Sequence, residues 1–124
     1  MTALSTAPLR IGPLTVELPV VLAPMAGVTN AAYRSLCRSY GAGLYVSEMV
    51  SARALLEVNE TTSRRASFGA DETVRSIQLY ATNPAVVGAA VTKLVQEDGV
   101  DHIDLNVGCP SPKVTRRGGG SACA

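Results

Sequence analysis

Short apolar runs alternate with helix-like segments along this chain, and this alternation restricts the possible folds more than any other feature. The strand-like runs cover residues 20–25, 44–50, 74–81 and 102–107. The first run is short and continuously apolar, which is typical of a strand buried on both faces of a sheet. Joined by helical crossovers of the usual right-handed sense, the strands would be parallel and would form one α/β sheet.

The helices between the strands begin and end at recognisable residues. Thr29 or Asn30 can cap the first helix, and Gly41 can end it in a left-handed conformation. Apolar and aromatic side chains at positions 32, 33, 36, 37 and 40 follow helical spacing and predict a buried face. Asn83 as the cap and Pro84 as the first helical residue begin the clearest helix of the chain.

The chemically distinctive residues come at the carboxyl ends of the strands. They are residues 23–27, residues 47–49, Gln78, and residues 106–109. In a (β/α)8 barrel and in an open α/β sheet, this edge carries the ligand site, so one shared pocket is expected. Cys109 is the first candidate for a working residue, because its glycine and proline neighbours keep it in a turn outside regular structure.

Composition indicates a globular chain and argues against several classes of protein. A net charge of +1 gives no overall basic field, and 47% hydrophobic residues allow a real core. Three cysteines without CxxC spacing and one histidine favour neither a disulfide framework nor a metal site. The apolar run 20–26 is short and broken by Pro24, so we expect no membrane span or signal peptide, and a cytoplasmic location.

The length predicts part of a larger fold. A complete (β/α)8 barrel needs about 250 residues, whereas this chain has 124. We therefore expect residues 1–124 to form the amino-terminal half of a TIM barrel, with two unpaired parallel edge strands. Residues 11–16 predict either a small hairpin or an extended lead-in ahead of the first strand.

Several motifs, in one order along the chain, resemble those of the tRNA-dihydrouridine synthases, and most of all the bacterial B-type branch. They are APMAGVTN at 23–30, YR at 33–34, GAGLYVSEM at 41–49, IQL at 77–79, DLNVGCP at 104–110 and KV at 113–114. The resemblance implies an oxidoreductase that uses FMN and NADPH to reduce selected uridines of tRNA to 5,6-dihydrouridine. It also implies that the second half of the barrel and a helical tRNA-binding domain are absent from this chain.

The resemblance assigns roles to individual residues. Flavin contacts are implied for Pro24, Met25, Ala26 and Gln78. Asn106 would lie beside flavin and base, and Cys109 would protonate C5 of the uracil. A thiol suits that task, because its ordinary pKa of about 8.5 keeps it protonated at neutral pH while it still releases the proton readily. The basic residues next to this loop are expected to contact RNA phosphates, and they are Lys113, Arg116 and Arg117.

Two other interpretations of the chain stay open at this point. The same flavin barrel can act on a small pyrimidine or another enone, as in the dihydroorotate dehydrogenases, although the basic stretch 113–117 favours tRNA. The chain can also be a non-catalytic remnant that binds RNA or a partner only weakly. A comparison of orotate or free uridine with tRNA as the hydride acceptor separates the small-substrate enzyme from the tRNA-modifying one.

Other residues have simpler structural interpretations. Cys37 is expected to be a small buried hydrophobe, and His102 to be structural. Glu48 suits a buried structural carboxylate or a pocket residue equally well. The arginine pair 64–65 predicts a solvated loop, and the glycine run 118–120 predicts a flexible lead into a further helix.

Overall fold

The strands of the computed structural model, which describes residues 6–41 and 43–123, form a hairpin and a parallel sheet. Their bounds are β1 Leu9–Ile11, β2 Leu14–Val16, β3 Val21–Leu22, β4 Leu44–Ser51, β5 Ser76–Tyr80 and β6 His102–Leu105. Strands β1 and β2 pair antiparallel, so the first of the two arrangements expected for this segment, the hairpin, is the one formed. Strands β3 to β6 follow one another in sequence order, and each neighbouring pair is parallel. The predicted parallel α/β sheet is therefore confirmed.

Helices separate the parallel strands. Their bounds are α1 Ala31–Arg38, α2 Ala52–Leu56, α3 Glu60–Arg65, α4 Pro84–Gln96 and α5 Pro112–Thr115, and a 3₁₀ turn covers Gly120–Cys123. Asn30 caps α1 by accepting a hydrogen bond from the N–H of Tyr33 at 2.9 Å, and Asn83 caps α4 in the same way. Both predicted helix starts are confirmed. Ala42, which belongs to one of the motifs quoted above, and residues 1–5 lie outside the described residues.

The core lies between α2, α4 and one face of the sheet. Its buried members are Val50, Ala52, Leu55, Ile77, Leu79, Ala90, Leu94 and Val100. Because side chains alternate along a strand, the β5 residues between and beside Ile77 and Leu79 face the opposite side. Those residues are Ser76, Gln78 and Tyr80, so the second face of the sheet is polar at its centre.

The first parallel strand differs from its prediction. Residues 20–25 predict a buried strand, but β3 includes only Val21 and Leu22, and Val21 is 45% exposed. Among the described residues β3 has a neighbour, β4, on one side only, so Val21 is left exposed while Leu22 is half-buried. β6 occupies the other edge, and Leu105 there is 54% exposed. The expectation of two edge strands is met within the described part of the chain.

Helix α1 packs by a different face than its periodicity predicts. Leu36 and Tyr40 are 57% and 86% exposed, and Cys37 is half-buried rather than buried. The buried residue of the helix is Arg34, whose guanidinium donates to both carboxylate oxygens of Glu72 at 2.6 and 2.9 Å. A bidentate ion pair therefore attaches α1 to the loop before β5, and the buried apolar face predicted for α1 is wrong.

Helix α3 was not expected. The arginine pair 64–65, interpreted above as a solvated loop, forms its last turn. Asn59 starts the helix by accepting a hydrogen bond from the N–H of Thr62 at 3.2 Å. Thr62 is the only buried residue of α3, and Arg65 in its last turn lies 3.8 Å from Glu48 of β4.

Candidate functional site

A hydrogen-bonded cluster lies at the carboxyl ends of β5 and β6. Gln78 and Asp104 are register partners on these strands, and the Gln78 Nε2 donates to Asp104 Oδ2 at 2.6 Å. Asn106 follows β6 and donates from Nδ2 to the Gln78 Oε1 at 3.2 Å. Both ends of the Gln78 amide are therefore bonded to protein partners, and the residue is only 7% exposed.

Asn106 also holds the loop that carries Cys109. Its Oδ1 accepts from the N–H of Gly108 at 3.2 Å and from the N–H of Cys109 at 3.0 Å. This is the local turn that asparagine side chains favour. The carbonyl of Cys109 accepts from the N–H of Ser121 at 3.0 Å. The peptide groups on both sides of the half-buried Cys109 are therefore bonded to fixed partners.

The glycine run packs against this loop. Gly120 is buried, has a φ of +58°, and approaches Cys109 so closely that an added Cβ would lie 2.4 Å from the Cys109 carbonyl oxygen. The same added atom would lie 3.1 Å from the Cys109 Cβ. The prediction of a flexible lead at 118–120 is therefore wrong, because the close contact needs a residue without a side chain.

The 23–27 loop is tied to the neighbouring strand. The N–H of Gly27 donates to Glu48 Oε2 at 3.0 Å, and Thr29 Oγ1 accepts from the N–H of Met25 at 3.0 Å. Glu48 is 7% exposed and lies where the register of β4 with β5 shifts, between Val46 and Met49. Its bond to Gly27 and its 3.8 Å contact with Arg65 Nε are what a structural carboxylate would make, and a role in the pocket stays a prediction.

The three flavin candidates on this loop present different surfaces. Pro24 is half-buried, whereas Met25 is 37% exposed and Ala26 is exposed as well. The loop follows β3, and β4 connects it to the strand that carries Gln78, because Met49 is the register partner of Gln78. The structure thus joins Gln78, Asn106 and Cys109 by hydrogen bonds and attaches residues 24–26 two strands away.

A basic cleft lies beside the Cys109 loop. Lys113, Arg116 and Arg117 line it together with Tyr80 and Pro112, and its volume is about 460 Å³. All three cations are exposed, and within residues 6–41 and 43–123 none of them forms a salt bridge. Tyr80 comes two residues after Gln78 on β5, so the cleft adjoins the hydrogen-bonded cluster.

Sequence reasoning missed the hydrogen bond of Asp104 to Gln78. It also missed the contacts of Gly120 and Ser121 with Cys109. Asp104 was visible in principle, since it lies in the strand-like run 102–107 two residues before Asn106, and alternate residues of a strand face the same side. His102 lies on the same face at the opposite end of the strand, where its Nδ1 is 2.8 Å from Ser76 Oγ. It is far along the strand from Cys109, which agrees with the structural role expected for it.

Among the described residues there is no group of three or more His, Cys, Asp or Glu that could hold a metal ion. No helix in the described ranges has the length and apolar character needed to cross a membrane.

Comparison with known proteins gives consistent results. A family model for dihydrouridine synthase (Dus) matches residues 21–123. A probable tRNA-dihydrouridine synthase of Mycobacterium tuberculosis (strain H37Rv) is 54% identical over 121 residues, which cover 92% of this chain and 31% of that protein. The tRNA-dihydrouridine synthase B of Pseudomonas aeruginosa is 42% identical over 113 residues, which cover 91% of this chain and 34% of that protein. The chain spans about a third of the length of these curated relatives.

Proposed function

This chain belongs to the dihydrouridine synthase family, and from that membership we propose that it acts in the reduction of specific tRNA uridines to 5,6-dihydrouridine. The proposed cofactor is FMN, and the proposed reductant is NADPH. The observation that carries the proposal is the bonded series from Gln78 through Asn106 to the Cys109 loop. It holds a thiol at the strand ends where α/β enzymes bind their ligands.

The residues at this edge fit a flat, polar-edged ring. Gln78 uses one N–H and one lone pair of its amide on protein partners, so a second N–H and a second lone pair are left for a ligand. Pro24, Met25 and Ala26 present a partly exposed, apolar surface without charge. We propose that these residues hold the isoalloxazine ring, which when bound and reduced would supply the hydride for C6 of uracil.

Cys109 is the proposed proton donor. Negative charge develops from C5 toward the carbonyl of the uracil after hydride addition at C6, and an acid must then protonate C5. The proton would come from Cys109 Sγ, and the thiolate left behind would take up a proton from solvent. Asn106 would keep the loop in place during this transfer through its bonds to the N–H groups of Gly108 and Cys109.

The basic cleft is the proposed RNA contact. A uracil within a folded tRNA must leave its stack before it can reach the strand ends, so the phosphates beside it need fixed positions. Lys113, Arg116 and Arg117 offer positive charge next to the Cys109 loop, and no described acidic residue neutralises them. This charge favours a polynucleotide over the small pyrimidine or enone of the alternative interpretation.

The decisive test is Cys109→Ala, with Cys37→Ala as the matched control. Dihydrouridine formation would be measured in unmodified tRNA with NADPH, and flavin content would be read from absorbance. We expect Cys109→Ala to lower the rate by about 100-fold or more while flavin binding is retained. Cys37→Ala should keep the rate of the unmodified chain, since Cys37 lies on α1 and takes no part in the bonded series from Gln78 to Cys109.

Three results would contradict the proposal. Cys109→Ala at the unmodified rate would remove the assigned acid. Equal or faster reduction of orotate or free uridine would favour a small substrate. A flavin-free chain that forms no dihydrouridine would favour the non-catalytic interpretation.

A further inference from the structure

The side-chain amides of Gln78 and Asn106 lie between backbone groups that only donate hydrogen bonds and a carboxylate that accepts one. At one end, the N–H groups of Gly108 and Cys109 can only donate, so Asn106 must present Oδ1 to them. The Asn106 Nδ2 then faces Gln78, which must present Oε1, and the two atoms are 3.2 Å apart. The Gln78 Nε2 is thereby left facing Asp104, whose carboxylate oxygen Oδ2 accepts from it.

We propose that Asp104 is a positioning residue that orients both amides and, through them, the turn that carries Cys109. If the Gln78 amide were reversed, its oxygen would face the Asp104 carboxylate and its NH₂ group would face the NH₂ group of Asn106. Both contacts would be repulsive. The carboxylate thus selects the one orientation in which Asn106 can turn Oδ1 toward the Cys109 loop.

Burial makes this selection strong. Gln78 is 7% exposed, and Asp104 and Asn106 are half-buried, so water cannot freely replace a lost partner. Hydrogen bonds of this kind are stronger away from water, and an unpaired group there is correspondingly costly. The Gln78–Asp104 bond is also charge-assisted and, at 2.6 Å, shorter than the 3.2 Å bond that follows it.

The importance of Asp104 for catalysis rests on the proposed function, because Gln78 and Cys109 are its proposed flavin contact and proton donor. The orientation of the turn does not depend on that function. It can be followed directly through the reactivity of the Cys109 thiol, which changes when a loop loses its fixed partners.

The same pair of strands provides a matched control. Ser76 and His102 are register partners on β5 and β6, as Gln78 and Asp104 are, and they form a side-chain contact of 2.8 Å. They lie at the amino-terminal ends of the strands, away from the Cys109 loop. Ser76→Ala therefore removes a polar pair between β5 and β6 without touching the amide series.

The experiment measures alkylation of Cys109 by iodoacetamide in the purified chain, with Cys37 in the same sample as the internal reference. Peptide mass spectrometry reads the two rates separately. Asp104→Leu has a similar size and no acceptor, and we expect it to raise the Cys109 to Cys37 ratio by about threefold or more. Asp104→Asn keeps an acceptor oxygen and should stay within about twofold of the unmodified chain, as should Ser76→Ala.

An unchanged ratio in folded Asp104→Leu would overturn the inference. So would an Asp104→Asn ratio as high as that of Asp104→Leu, or an equal rise in Ser76→Ala, which would indicate general loosening of the sheet. If Asp104→Leu does not fold, Gln78→Met interrupts the same series with a side chain of similar length and must raise the ratio. A raised ratio in a chain that forms no dihydrouridine would leave this inference standing and refute the proposed function alone.

Discussion

Replacement of Gly120 by alanine tests whether the glycine run supports the Cys109 loop. The added Cβ would lie 2.4 Å from the Cys109 carbonyl oxygen, well inside van der Waals contact, and the crowded atom is backbone that cannot rotate away. The loop or the 3₁₀ turn must therefore move. Any such movement also strains the hydrogen bond from the N–H of Ser121 to the Cys109 carbonyl.

The expected cost has two parts. A residue with a Cβ at a φ of +58° loses about 1–2 kcal/mol relative to glycine. Insertion of a methyl group into a close contact adds about 1–3 kcal/mol. The smaller entropy of the unfolded alanine chain returns about 0.4–1 kcal/mol. Gly120→Ala should therefore lower the free energy of unfolding by about 1–4.6 kcal/mol.

Gly118→Ala is the matched control for the first part. Gly118 also has a positive φ, +80°, but the nearest atom to its added Cβ is Thr82 Cγ2 at an ordinary 3.8 Å. Only the conformational cost applies there, so Gly120→Ala should be less stable than Gly118→Ala by about 1–3 kcal/mol. Urea denaturation followed by circular dichroism measures both. Equal destabilisation of the two variants would show that the close contact with Cys109 carries no energy, and the reasoning would fail.

Two more predictions concern charge. Alanine at both Arg116 and Arg117 should weaken tRNA binding. It should also reduce the steepness of log K against log salt by about 1.4–1.8, since each phosphate contact contributes about 0.7–0.9. An equal effect of alanines at 64–65 on α3 would contradict the proposal that the cleft contacts RNA. Burial opposes ionisation of Glu72, but its bonds to Arg34 hold the pKa of Glu72 below its ordinary value. The ion pair of Glu72 with Arg34 therefore stabilises the fold at neutral pH, and this stabilisation is lost as the pH falls through the lowered pKa of Glu72. Glu72→Gln should cost about 3–5 kcal/mol in urea titrations at pH 7 and progressively less in acid; a pH-independent difference would contradict this.

Local signals in the sequence predicted most of the regular elements, although not α3 or the short length of β3. The caps at Asn30 and Asn83 act within one helical turn, so the residues that decide them are adjacent in the chain. The parallel order of the strands followed from the same local pattern. The shared position of Gln78, Asn106 and Cys109 followed in turn, because parallel strands place their carboxyl ends at one edge.

Features set by distant partners were not predictable in this way. Arg34 is buried because Glu72, 38 residues further along the chain, pairs with it, and no periodicity within α1 shows that. The exposure of Val21 depends on how many neighbours β3 has, rather than on the strand itself. The close approach of Gly120 to Cys109 likewise appears only when the chain returns to the loop.

The peptide groups on both sides of Cys109 are hydrogen-bonded in the folded chain before any ligand binds. Since its N–H and its carbonyl are both bonded in the free chain, the entropy of fixing this backbone is lost once, during folding, and not at each encounter. Under the proposed function, the backbone that carries the thiol would be in place before the RNA arrives, and the nucleobase would be the part that moves. Discrimination among uridines would then depend on which of them an RNA can extrude toward a stationary sulfur.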